Sequence, residues 1–215
     1  MRGKFITFEG GDGAGKTTQI KLLSDYLSDA GIDFIVTREP GGSAVAEKIR
    51  ELLLDRGNKD IDPVTEAYLF AAARSSHIRE LIAPALHAGK TIICDRFFDS
   101  SVAYQGYGRG LGAETVLKIN EEALMGLKPD LTFFIDLPPD IGARRREADG
   151  DPDRIELSDM GFKERVREGY NAVSLAFGGR FVTVDGSKSP GEIHSEIVSC
   201  INALFGIKQR GGSLI

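Results

Sequence analysis

Five short apolar runs interrupt a polar and charged chain, at residues 5–8, 34–37, 91–94, 131–137 and 181–184. They are β-branched or aromatic, nearly free of polar residues, and most end in a charged residue or glycine. Unbroken apolar runs, rather than alternating ones, mark strands of a parallel sheet covered on both faces. Between them the spacing becomes helical, over 16–30, 44–54, 63–87, 113–125, 140–147, 160–177 and 190–205. In the first of these, Ile20, Leu23 and Leu27 fall on one face. Alternating strands and helices predict a doubly wound α/β fold, whose ligands sit beyond the carboxyl ends of the strands. Polar, glycine-rich segments follow those ends at 10–15, 38–43 and 95–112, with a charged stretch at 144–156. No internal repeat is visible, and the tail 208–215 reads as loose.

Length and charge narrow this picture. The 215 residues fit one domain over 1–215, large enough for a substantial core. A net charge of −5 gives no general basic surface for a nucleic acid polymer, so anions must bind in a local pocket. Cys94 and Cys200 make neither a disulfide framework nor a C-x-x-C motif, which points to a reduced, cytoplasmic setting. His77, His87 and His194 lack zinc-ligand spacing. No apolar stretch reaches the roughly 18 residues of a membrane span. A strand-like run begins almost at the N-terminus, leaving no room for a signal peptide.

The candidate chemistry begins with "EGGDGAGKTT", Glu9 to Thr18, which satisfies the phosphate-loop pattern G-x-x-x-x-G-K-S/T. It follows a strand and opens an amphipathic helix, the context in which such a loop wraps backbone N–H groups around a nucleotide's phosphates. Gly10, Gly11, Asp12, Gly13, Ala14 and Gly15, with Lys16, Thr17 and Thr18, are the expected ATP cradle. Lys16 is placed to reach the β and γ phosphates, and Thr17 to hold Mg²⁺. Asp12 is a puzzle, because it puts a negative charge inside a cradle for anions.

Four further stretches admit both a functional and a plain reading. Asp95, ending the third strand, is either a second Mg²⁺ ligand or a cap for the following turn, and the phosphate loop favours the metal side. Arg96 beside it offers a fork of donors suited to a phosphate. Phe70 and Arg74 share a helix face, and spacing alone favours a core phenylalanine beside a surface arginine over a stacked base with its edge bonded. Arg38 in "TREPGG" is either turn chemistry or a phosphate contact. The segment "RRREADGDPDRIE" is either a solvated charge run or a lid carrying Arg144, Arg145, Arg146 and Arg154 over a transferring phosphoryl group.

Taken together, "FEGGDGAGKTTQ", "TREPGG", "LFAAAR", "DRFFDSSVAYQG" and "DRIE" resemble the thymidylate kinase family in order and approximate spacing, over nearly the whole chain. The resemblance implies a P-loop NTPase fold with a five-stranded parallel sheet, a mobile lid over about 144–156, and homodimers. It implies phosphorylation of dTMP by ATP with Mg²⁺, giving dTDP and ADP. It implies that Phe70 stacks on thymine with Arg74 at the O4 edge, Ser101 and Gln105 at the base and Tyr104 against the deoxyribose. Arg38 and Arg96 would hold the dTMP phosphate, and Asp12 would take a hydrogen bond from the sugar 3′-hydroxyl. The family divides on whether the catalytic arginine lies in the P-loop or the lid. With Gly13 after Asp12 and four lid arginines, this chain resembles the lid-arginine type, without singling out one of them. The adenine is expected near 185–187. The rivals are another monophosphate or deoxynucleoside kinase, a regulatory ATPase, or a GTPase switch. The switch's N-K-x-D signature is missed by one place at Asn58-Lys59-Asp60.

Overall fold

A computed structural model of the chain describes residues 2–146 and 152–207. The expected tail 208–215 and lid residues 147–151 lie outside the described residues. All five predicted strands form: β1 (Phe5–Glu9), β2 (Phe34–Arg38), β3 (Thr91–Asp95), β4 (Leu131–Asp136) and β5 (Phe181–Asp185). Every pairing is parallel, in the order β2-β3-β1-β4-β5. Each crossover therefore carries a helix, and β1 lies at the centre with its whole length buried.

The helices are α1 (Lys16–Asp29), α2 (Ala44–Leu54), α3 (Pro63–His77), α4 (Ala83–His87), α5 (Phe98–Ser101), α6 (Ala113–Leu124), α7 (Pro139–Arg146), α8 (Met160–Ala176) and α9 (Pro190–Phe205). On one face of the sheet, Leu23 and Leu27 of α1 and Ile197 and Ile201 of α9 pack on Ile6, Phe8, Phe133 and Ile135. On the other, Phe5, Ile92 and Cys94 meet Ile82, Leu86, Phe97 and Val116. The even and odd positions of β1 serve opposite layers, as the pleat requires.

Two expectations need correction. The single helix over 63–87 is interrupted by a widened π segment at Ile78–Ile82. Pro84 has no N–H to give the carbonyl four residues back, and the wider turn absorbs that loss. The glycine-rich segment 95–112 is largely helical, as α5 followed by a π segment at Val102–Gly108. Its buried Phe98, Val102, Ala103 and Tyr104 pack inward, and that burial outweighs the glycines.

Two features fix the phosphate loop. Gly13 has φ +75°, and a Cβ there would lie 2.2 Å from the carbonyl oxygen of Gly142 in α7. A Cβ on Gly142 would in turn lie 2.4 Å from the Asp12 carbonyl oxygen. The loop and α7 thus touch backbone to backbone, and position 13 has no room for a side chain. The second feature is Glu9, at the end of β1. Its carboxyl accepts from the Phe97 N–H at 2.8 Å, the Ser100 hydroxyl at 2.5 Å and the Tyr170 hydroxyl at 3.1 Å, tying β1 to α5 and α8. Burial, with nearby Asp99, pushes its pKa up to about 8.

Two outcomes are expected. Replacing an exposed helical glycine by alanine gains about 1 kcal/mol of helix propensity. Gly191, whose Cβ would meet nothing within 4 Å, should follow that rule or be neutral. Gly142→Ala should instead lower Tm and weaken nucleotide binding, measured by calorimetric melting and by titration with ATP. An unchanged Tm for Gly142→Ala would mean the loop does not depend on this contact. For Glu9, the native state keeps a proton up to about pH 8 that an unfolded carboxyl gives up near 4.5. Stability tied to this group is therefore full below the lower value and is lost as pH rises through the upper one. Tm should fall between roughly pH 5 and 9 in wild type and less so in Glu9→Gln, which mimics the neutral carboxyl. Parallel profiles would show that Glu9 is ionised in the fold.

Candidate active site

The carboxyl end of the sheet opens onto a cavity of about 750 Å³. Asp12 to Thr18 form one wall; Phe70, Arg74, Ser101, Tyr104 and Gln105 line another region. Arg38, Asp95, Arg96, Arg145 and Arg146 also reach it. Of the residues singled out from sequence, Gly10, Gly11, Arg144 and Arg154 do not line this cavity.

Lys16 Nζ folds back onto its own loop, donating to the carbonyl oxygens of Gly10 at 3.1 Å and Gly11 at 2.9 Å. Burial first, and then the Arg96 charge, lower its pKa. Such an ammonium gains from an incoming polyanion.

Arg96 stands at the strand end in a left-handed backbone conformation, φ +65°, uncommon for a residue with a side chain. The turn aims its guanidinium back across the sheet, where it donates to Gly10 O at 2.8 Å, the Tyr170 hydroxyl at 2.9 Å and Asp12 Oδ1 at 2.5 Å. It also lies over the Tyr104 ring, 5.0 Å from its centroid. Burial would raise the Asp12 pKa, but Arg96 and Lys16 outweigh it and hold the carboxyl below its ordinary value. Asp12 is thus an ionised group with cations of its own.

Arg74 is not the surface arginine that spacing favoured. It is 1% exposed, and Nε donates to Glu39 Oε2 at 2.8 Å. The rest of the guanidinium donates to Asn120 Oδ1 and to Ser101 Oγ, the latter at 3.0 Å. Phe70 is half-buried beside Tyr104, Phe134, Ile155 and Phe162. Both residues therefore face the cavity, Phe70 with a ring and Arg74 as part of a fixed network.

The four arginines expected in a lid separate. Arg144 is mostly exposed and pairs with Asp140 one helical turn back, at 3.1 Å. Arg145 donates to Gly186 O at 3.1 Å, and Arg146 grips Glu156 through Nε at 3.0 Å and NH2 at 2.9 Å. Arg154 turns the other way, donating to Leu53 O and to Glu66 Oε2, both at 2.7 Å. Residues 185–187, where the adenine was expected, do not line this cavity, whereas Gln19, Lys188, Pro190 and Ile193 do.

Arg50 and Glu39, which line the cavity, and Glu66, which lies behind it, had no signal in the sequence. Arg50 lines it and donates to Pro40 O at 2.8 Å. Glu39 holds both Arg74 and His77, and Glu66 holds Gln105, Arg109 and Arg154. Glu39 stands inside "TREPGG", and Glu66 lies four residues before Phe70 on the same helix face, but neither spacing names a partner.

A cation would fit beside Lys16. Asp95 and Thr17 both line the cavity, and Asp95 Oδ1 is buried without a hydrogen-bond partner. Among the described residues no group of three or more His, Cys, Asp or Glu could hold a metal. One carboxylate and one hydroxyl suit a hard ion that takes most of its ligands from phosphates and water.

The thymidylate kinase family model matches residues 8–197. A thymidylate kinase of Caldanaerobacter subterraneus is 49% identical over 201 residues, covering 94% of this chain and 96% of the relative. One from Geobacillus thermodenitrificans is 47% identical over 203 residues, covering 94% and 90%. The crystal structure of thymidylate kinase from Ehrlichia chaffeensis superposes with a TM-score of 0.76 at 34% identity, covering 94% of this chain and 99% of that one. The order of the motifs, the strand order and these likenesses agree, and the chain belongs to the thymidylate kinase family.

Proposed function

We propose that this protein transfers the γ-phosphoryl group of ATP to dTMP, giving dTDP and ADP, in the biosynthesis of dTTP. The observation that carries the reading is a single cavity lined both by the phosphate loop and by Phe70, Arg74, Ser101, Tyr104 and Gln105. The residue roles that follow belong to the same proposal.

The reaction needs no general base. A phosphate monoester is largely dianionic at neutral pH, its second pKa being about 6. An oxygen of the dTMP phosphate attacks the γ-phosphorus, and the bond from that phosphorus to the β-bridging oxygen breaks, leaving ADP. The protein aligns two polyanions and offsets their charge. Gly10 to Thr18 bind the ATP phosphates, and Lys16 exchanges its loop carbonyls for them. Arg38 and Arg96 hold the acceptor phosphate, with Arg50 close behind. Phe70 stacks on thymine while Arg74, Ser101 and Gln105 read its edge, and Tyr104 packs against the sugar. Asp12, kept ionised by Arg96, accepts from the 3′-hydroxyl. Thr17 and Asp95 would hold Mg²⁺, which when bound spreads the charge of the β and γ phosphates.

The closed approach of Gly13 to Gly142 supports the lid-arginine reading, because no arginine fits at that place in the loop. Arg145 and Arg146, which line the cavity, are the better candidates; Arg144 and Arg154 are held elsewhere. A homodimer is supported by exposed apolar side chains on neighbouring helices, Val45 and Leu52 of α2, Tyr68 of α3 and Leu117 of α6. No described helix is long and apolar enough to cross a membrane. A cytoplasmic site accords with free Cys94 and Cys200.

A panel of nucleoside monophosphates, assayed for ADP release with ATP and Mg²⁺, tests the reaction. dTMP should be the preferred acceptor, and ATP consumption independent of any monophosphate would reject the reading. Replacing both Arg145 and Arg146 by alanine should lower kcat by roughly 10²–10⁴, since arginine fingers are worth 10³–10⁵ elsewhere. Arg144→Ala should change it little; the reverse order would relocate the catalytic arginine. For Asp12→Ala, the loss with dTMP should exceed that with its 3′-deoxy analogue by about 1.5–3 kcal/mol, the range for a hydrogen bond to a charged group. Equal losses would remove the sugar-reading role. Light scattering should give twice the monomer mass, reduced toward one by Tyr68→Glu.

A further inference from the structure

We propose that Glu66 is the positioning residue that sets base specificity, by fixing which end of the Gln105 side-chain amide faces the acceptor base. The inference rests on the reading of the cavity as a dTMP site.

Glu66 lies on α3, four and eight residues before Phe70 and Arg74, and so on the cavity-facing side of that helix. It is 1% exposed. Its Oε1 accepts from Gln105 Nε2 at 3.0 Å and Arg109 Nε at 3.1 Å. Its Oε2 accepts from Arg109 NH2 at 3.2 Å and Arg154 NH2 at 2.7 Å. Two guanidiniums and an amide N–H compensate the buried carboxylate, and their combined effect holds its pKa below the ordinary value against the pull of burial.

An ionised carboxylate accepts hydrogen bonds and has none to donate. Gln105 can meet it only through its NH₂ group, because the opposite flip would set carbonyl oxygen against carboxylate. The chemistry therefore decides an orientation that atomic positions alone leave to assignment. With Nε2 on Glu66, the amide oxygen is the end left for the ligand. Gln105 lines the large cavity, and among the described residues no hydrogen bond reaches its Oε1. Gln105 is 1% exposed, so the face it leaves open is the one lining the cavity.

A fixed acceptor at Gln105 and a fixed donor at Arg74, both lining one cavity, make a two-point code. Thymine offers the matching edge, an N3–H donor beside an O4 acceptor. Cytosine offers the inverse, an N3 acceptor beside an N4 amine, and would meet an unpaired acceptor and an unpaired donor. Sites that hydrogen-bond a substrate group reject analogues lacking it far more strongly than apolar pockets do. Glu66 touches no substrate in this scheme; it acts through Gln105, and Arg154 ties the same carboxylate to the lid-side segment.

The test compares dTMP with dCMP. Glu66→Gln keeps the shape but can offer its own N–H, which frees Gln105 to turn. The dTMP-over-dCMP ratio of kcat/KM should fall by about tenfold to a hundredfold, carried by KM, with kcat for dTMP changed much less. Gln105→Met, which keeps both Arg109 and Arg154 on Glu66, should lower the ratio similarly, and adding Glu66→Gln to it should lower the ratio no further. Because Glu66→Gln leaves Arg109 without its carboxylate, Glu66→Gln/Arg109→Met should show the same loss of discrimination in a better-balanced core. A folded Glu66 variant with an unchanged ratio overturns the proposal. Nuclear magnetic resonance on the wild-type protein gives an independent check: the Gln105 side-chain N–H signals, identified by their loss in Gln105→Met, should be protected from solvent exchange with and without dTMP. Rapid exchange of those hydrogens overturns it as well. Wild-type protein inactive toward dTMP would overturn the proposed reaction instead, while the protection of Gln105 would still report on the Glu66 contact.

Discussion

A pocket for two polyanions must hold cations partly out of water, and a cation out of water needs an anion beside it. That constraint organises this molecule. Arg74 is buried against Glu39, and half-buried arginines pair likewise, Arg96 with Asp12, Arg109 and Arg154 with Glu66, and Arg180 with Asp99. Each pair joins segments distant in sequence, so these arginines cross-link the fold around the cavity. Removing one partner of such a pair is far more damaging than replacing both, because it strands a charge in low dielectric. Asp12 follows the same rule: it offsets Arg96 and Lys16 in the resting cradle and stays ionised by doing so.

The sheet supplies the geometry that makes the arrangement possible. With every strand parallel and β1 central, the phosphate loop emerges between the ends of β3 and β4. Asp95 and Arg96 arrive from one neighbour, and α7 with its arginines follows the other. Glu9 fastens this junction from below, through Phe97, Ser100 and Tyr170. Gly13 and Gly142 close it from the side, where two backbones approach too closely for any side chain. The far side of the cavity depends on the π segment Val102–Gly108, which packs along α8 while presenting Tyr104 and Gln105 to the cavity.

Much of this was legible from the residues. All five strands were visible because parallel strands covered on both faces are nearly unbroken apolar runs, and the P-loop carries its own glycines and lysine in order. The helix boundaries were less so. Pro84 and the glycines of 95–112 are local signals against a regular helix, and packing answered them with π segments rather than with loops. Phe70 and Arg74 show the limit most directly. Their spacing is compatible with a surface arginine, and only the arrival of Glu39, Asn120 and Ser101 from three other segments makes Arg74 a buried donor.

By itself the sequence determined the α/β class, the strands, the phosphate loop and the set of residue types gathered for phosphoryl transfer. Those are encoded locally, in hydrophobic period, in glycine's access to positive φ and in short motifs. The tertiary structure alone decided which charge neutralises which. Asp12 with Arg96, Arg154 turned to Glu66 and Gln105 held by its amide N–H are separated by between 39 and 88 residues of chain. Coulomb pairing depends on distance in space, and no spacing along a chain fixes that until the strands have been ordered.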